Sequence, residues 1–166
     1  MSTLARFVDA QARPYDGFDA ALRELSSTGK QRHWIWYIFP QLAGLGQSAM
    51  SQRYAIVGPP EAEGYLRDST LRHRYLAVTN AVADQLARGM RLDRIMGSSI
   101  DTIKLVSSLT LFRAVAARLA RLDTLEGCDA LANAAERILA RAAHEGYPAC
   151  QHTLTVLRDA RYDALE

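Results

Sequence analysis

"DTIKLVSSLTLFRAVAARLARL", residues 101–122, holds neither proline nor glycine and repeats its apolar residues at helical spacing. Helical positions advance by ~100°, so Asp101, Lys104 and Ser108 fall within about 60° of one another. Phe112, Val115 and Leu119 continue that meridian, whereas Arg113, Arg118 and Arg121 point the other way. The polar trio therefore lies on the face that the rest of the helix buries. Ile103, Leu105, Val106, Leu109 and Leu111 surround it, the pattern of an interior helix. Charges on such a helix must be paired, or must line a cavity, because an unpaired buried charge is costly. This segment is expected at the centre of an all-α, irregular helical bundle forming a single domain over residues 1–166.

The flanking chain agrees with that class, since β-branched alternation is scarce and alanine, leucine and arginine recur at helical spacing. "ARFVDAQ" predicts a first short helix closed by Pro14. "GFDAALRELSSTG" predicts a second that places Phe18, Leu22 and Leu25 on one face and stops at Gly29. "AMSQRYAIV" and "PEAEGYLRD" predict short helices on either side of the "GPP" break, the latter opening with proline and glutamates. "STLRHRYLAVTNAVADQLARG" is a long amphipathic helix with Leu71, Tyr75, Val78, Val82 and Leu86 on its buried stripe. "CDALANAAERILARAAHEG" and "QHTLTVLRDARYDAL" supply the last two, giving seven to nine helices in all. No repeat or low-complexity tract interrupts them.

The totals exclude several classes. A chain of 166 residues with 49% hydrophobic and 23% charged residues can bury one substantial core. A net charge of +2 is far from the dense basic stripe of a nucleic-acid binder, so no nucleic-acid partner is expected. Cys128 and Cys150 form no framework or CxxC pair. "MSTLARFVDAQARPYDGF" has no apolar run long enough for a signal peptide, and no stretch approaches the ~20 apolar residues of a membrane span. A soluble cytoplasmic protein without membrane association is the expectation. His144 and His152 lack the spacing of metal ligands and no HExxH occurs, so neither metal nor cofactor is expected.

Three segments carry the candidate chemistry. On the long helix, Lys104 could contact an anionic group with Ser107 and Ser108 orienting it. The alternative is an internal Asp101–Lys104 ion pair, with the serines bonded to carbonyls one turn back. In "GLGQSAMSQRY", Gly44 and Gly46 permit close backbone approach and Ser48 suits a helix N-cap. Such a loop either offers amides to an anion or is a plain turn. In "KQRHWIWYIFPQ", residues 30–41, Pro40 ends the element, and Trp34, Trp36, Tyr37 and Phe39 cannot share one narrow face. Some pack inward; the others could flank a flat ligand or anchor a protein partner. Lys30, with Arg32 and His33 beside it, could meet a phosphate.

Read together, "HWIWYIFPQ", "GLGQS" and "DTIKLVSSLTLF" resemble the motifs of domain of unknown function family 1810, HW-x-W-x-x-FPQ, GLG-x-S and D-x-x-KL-x-SS-[LM]-T-LF. The resemblance covers most of the chain and weakens after Arg121. Two departures precede the long helix: "LRDSTLRHRYL" stands where a histidine-proline-leucine-glycine run is typical, and Met96 where a phenylalanine is frequent. The family implies no stated activity. Some members carry the automated label calpastatin, a disordered, repetitive inhibitor type that this unrepeated composition does not match.

The resulting expectation is a pocket for a small anionic, nucleotide-like ligand. Lys30, Lys104, Gln41, Ser107, Ser108 and the Gly44, Gly46 and Ser48 segment would hold its charge, and Trp34 and Trp36 its flat group. Were a reaction catalysed, Asp101 would act as base and His33 as its acid–base partner. The rival expectation is a non-enzymatic interaction module presenting the aromatic segment.

Overall fold

The computed structural model describes residues 3–162, and its ordered elements are helices. The long segment forms α8, Ser99–Asp123, opened by Ser98, whose hydroxyl accepts the Asp101 amide at 3.1 Å. Its stripe from Leu105 through Phe112, Val115 and Leu119 is buried, and α9, Cys128–His144, lies along it over the greatest length. α10, Gln151–Asp159, and α5, Pro59–Arg67, flank the same helix. α6, Ser69–Ala87, packs on α9 and on α2, Phe18–Leu25, completing an all-α bundle. The end of the last predicted helix, residues 163–165, lies outside the described residues.

Short helices fill the gaps. α1, Ala5–Gln11, ends before Pro14 as its sequence predicts. α3, Ile35–Ile38, is a single turn, because Phe39 precedes Pro40 and is pushed out of the helical region to φ −122°, ψ 72°. α4, Ala49–Arg53, sits in a loop whose neck is tied by a parallel bridge between Leu42 and Ile56. Ala43 and Ile56 donate backbone hydrogen bonds across that neck at 2.8 and 2.9 Å. α7, Leu92–Met96, was not anticipated; it brings the described total to ten helices, above the seven to nine expected. A helix of five residues is too short to show a helical period.

The core is a run of rings. Phe7, Tyr65, Phe112, Tyr75 and Phe39 meet edge-on or tilted at centroid separations of 4.5 to 5.6 Å. The Tyr75 and Ser108 hydroxyls share a hydrogen bond of 2.8 Å inside it. The aromatic segment joins this core: Trp34, Tyr37 and Phe39 are buried and Trp36 is partly buried.

Candidate functional site

Two backbone junctions bring the candidate residues together. Gly29 has φ +90°, and a Cβ there would lie 2.8 Å from the Arg94 carbonyl oxygen. Gly97 has φ +81°, and its Cβ would lie 3.0 Å from the carbonyl oxygen of Lys30. Both positions demand glycine. With them in place, the Lys30 amide donates to the Ile95 carbonyl at 2.7 Å, and Lys30 is laid against the first turn of α8.

There Asp101 stands between two lysines. Lys30 Nζ is 2.7 Å from Asp101 Oδ2, and Lys104 Nζ is 3.7 Å from Oδ1. Each ammonium also lies over one tryptophan ring, Lys30 over Trp34 at 5.2 Å and Lys104 over Trp36 at 5.3 Å. The two cations differ in access: the Lys30 side chain is 6% exposed and that of Lys104 23%. Lys30 is thus a structural counter-ion of Asp101. Lys104 reaches outward.

The tryptophans divide in the same way. Trp34 Nε1 donates to Glu24 Oε2 at 2.6 Å, while Glu24 Oε1 accepts the amides of Gln31 and Arg32 at 3.0 and 2.7 Å. This buried carboxylate fixes the whole approach to α3. Trp36 is only partly buried, yet its indole nitrogen is shielded from solvent and has no hydrogen-bond partner among the described residues. Its ring lines a recess of about 10 Å³ together with Phe39, Gln41, Ser51, Tyr54 and Lys104. That is room for about one water molecule or one oxygen atom.

Gln41 and Lys104 also line a larger cleft of about 520 Å³. One wall is the outer face of α8, with Ile100, Ile103, Val106 and Ser107. The opposite wall is the turn after α9, with Tyr147, Pro148 and Cys150, and Leu45 of the glycine loop closes an end. These walls are tied together: the Cys150 amide donates to Thr110 Oγ1 at 3.4 Å, and His152 Nε2 lies 3.2 Å from the Ala43 carbonyl oxygen. Ile100 and Ile103 are 65% and 56% exposed, so the first turns of α8 are not enclosed on every side as the sequence pattern suggested. Missing neighbours there create the cleft.

The predicted residues therefore separate by where the fold places them. Lys104, Gln41 and Ser107 line the cleft, and Trp36 lines the adjoining recess. Lys30 and Asp101 lie behind it as a paired acid and base; Trp34 and Ser108 are interior and line neither space. Ser107 Oγ donates to the Ile103 carbonyl at 3.0 Å, the backbone bond weighed as its alternative role. Gly44 and Gly46 act through geometry: Gly44, at φ +92°, faces the His152 ring, and Gly46 lets Ser51 approach. Ser48 caps α4 by accepting the Ser51 amide at 3.1 Å. His33 is exposed and lines neither space, so the structure does not assemble it with Asp101 as a catalytic pair. The Asp101 oxygens face the two ammonium groups instead.

Tyr147, Pro148 and Cys150 were missed, although an aromatic-proline pair in the turn "EGYPAC" is a legible loop signal. Among the described residues there is no group of three or more histidine, cysteine, aspartate or glutamate side chains that could hold a metal ion, and no helix is long and apolar enough to cross a membrane.

Residues 1–126 match a family described as "Protein of unknown function (DUF1810)". The fold resembles the crystal structure of the conserved hypothetical protein Rv1873 from Mycobacterium tuberculosis, at TM-score 0.68 and 31% identity, over 92% of this chain and 94% of that one. No curated protein matches the chain.

Proposed function

The chain belongs to the DUF1810 family, and from the geometry of the cleft we propose that it binds a small anionic ligand between α8 and the turn after α9. One observation carries this reading. Lys104 is the charged side chain among the described residues lining the cleft, and it adjoins a recess lined by Trp36, whose indole N–H is shielded and unpartnered. A partly exposed ammonium beside a shielded, unused donor is an anion-binding arrangement. The reading is one of binding, since the residues weighed for acid–base work are not assembled around the cleft.

The test is a thermal-shift panel of carboxylates, phosphate esters and nucleotides. A ligand at a hundred times its Kd adds ~2.7 kcal/mol of stability, a clear rise in Tm. Lys104→Met should remove the shift while the unliganded Tm stays put. No shift with any anion, or a shift indifferent to Lys104, refutes the reading.

A further inference from the structure

Resting on the cleft as an anion site, we propose that its ligand is a monocarboxylate with an apolar body, bound with one carboxylate oxygen in the recess and the other on Lys104. Charge decides the first point. Lys30 and Lys104 carry two positive charges against the single negative charge of Asp101, and Lys30 is held by that carboxylate at 2.7 Å. One positive charge remains for a ligand. A monoanion neutralises it. A phosphate dianion or a polyphosphate brings charge that the other described lining residues, all uncharged, do not answer.

The donors decide the second point. Besides the Lys104 ammonium, the recess is lined by Gln41 and by Trp36, whose shielded N–H is unpartnered, while the Ser107 proton is already directed to the Ile103 carbonyl. A recess of about 10 Å³ admits one oxygen atom of an anion and no larger group, so the choice of a carboxylate over a phosphate rests on charge. A planar carboxylate can place one oxygen there and leave the second beside the ammonium.

The body is decided by the walls. Leu45, Ile100, Ile103, Val106, Tyr147 and Pro148 offer apolar surface along the cleft. Sugar hydroxyls laid against them would lose water without gaining partners, which disfavours a nucleotide. An aliphatic chain or an aryl ring would bury apolar surface on both sides. A volume of about 520 Å³ is within the ordinary range of small-molecule sites.

Cys150 lines the cleft and Cys128 is buried, so the chain carries its own occupancy probe. Alkylation of Cys150 by iodoacetamide would be followed by mass spectrometry beside Tm, using octanoate, 1-octanol, octyl phosphate and adenosine monophosphate. Octanoate is expected to slow alkylation and raise Tm, with octanol and octyl phosphate each about tenfold weaker and the nucleotide without effect. Trp36→Phe should weaken octanoate about tenfold and leave octanol unchanged. Should that variant fail to fold, Gln41→Leu removes the other donor and carries the same expectation. Protection by octyl phosphate or the nucleotide but not by octanoate overturns the carboxylate class and leaves the anion site standing. Octanoate protecting wild type and Lys104→Met equally overturns the proposal, as does octanol matching octanoate. If no anion protects Cys150 or raises Tm, the site and the class fall together.

Discussion

The Lys30–Asp101–Lys104 cluster makes a ranked prediction about stability. At an effective dielectric near 20, a 2.7 Å pair attracts by ~6 kcal/mol before desolvation is subtracted. Lys104 is more exposed and 3.7 Å away, and in a water-like dielectric its attraction is only about 1 kcal/mol. Asp101→Ala strands the Lys30 ammonium, whose side chain is 6% exposed, and should cost about 3 kcal/mol. Lys30→Met should cost about 2 kcal/mol, since Asp101 can still turn to Lys104. Lys104→Met should cost under about 1 kcal/mol. The double variant Lys30→Met/Asp101→Ala removes both paired charges together, so it should be less destabilised than the two single losses summed, by about 1.5 kcal/mol or more. Urea unfolding followed by tryptophan fluorescence measures all four, with m unchanged if only native contacts are lost. A cost for Lys104→Met equal to that of Asp101→Ala, or a coupling below about 0.5 kcal/mol, would refute the assignment of Lys30 as the structural partner.

Elsewhere in the molecule, Glu24→Gln sets an amide against donors that now meet a buried carboxylate and should cost about 2–4 kcal/mol in urea. Glu136→Gln at the exposed Arg113 pair should change stability by under about 0.5 kcal/mol, and equal effects would contradict the role given to Glu24. Gly29→Ala should lower Tm well beyond Gly89→Ala: both have positive φ, but only at position 29 would the new methyl meet a carbonyl at 2.8 Å, whereas no atom lies within 4 Å of position 89. Burial raises the pKa values of Tyr65 and Tyr75 above the ordinary phenol value. The folded state then holds protons that the unfolded chain releases, so stability is complete below pH ~10 and declines as pH rises, by ~1.4 kcal/mol per pH unit for each ring. The phenolate absorbance of these two rings should appear together with loss of circular dichroism, as read by its disappearance in Tyr65→Phe and Tyr75→Phe; their ionisation in a folded protein near pH ~10 would disprove it.

Much of the helical order was legible because capping and periodicity are local. Gly89 follows α6 as its sequence suggested, and α5 opens at Pro59, one residue before the expected Pro60. The interior rank of Leu105, Leu109 and Phe112 was legible too, since their spacing alone makes a stripe. What failed depended on distant neighbours. The wheel that placed Lys104 beside Asp101 could not show Lys30 arriving from another segment at shorter range. Nor could it show that Ile100 and Ile103 face a cleft, because apolar side chains read alike whether a helix or open space lies opposite. Ser107 and Ser108 are adjacent, yet one lines the cleft and the other bonds to Tyr75 in the core.

The tripeptide Trp34-Ile35-Trp36 shows how one turn of helix can serve two purposes. Two indoles at i and i+2 point to different sides of α3, so identical side chains meet unlike surroundings. One finds Glu24 and becomes part of the frame; the other lines a recess beside Lys104. A shielded N–H without an acceptor costs about 1–3 kcal/mol, whereas the chain supplied a carboxylate for its twin two residues away. Lys30 and Lys104 repeat that contrast, one closed upon Asp101 and the other open to the cleft. In each pair one member is built into the frame, and the unmatched donor and the surplus charge fall side by side. That coincidence of an unpartnered donor and a cation only loosely paired with Asp101, at 3.7 Å, is what a bound oxyanion would resolve.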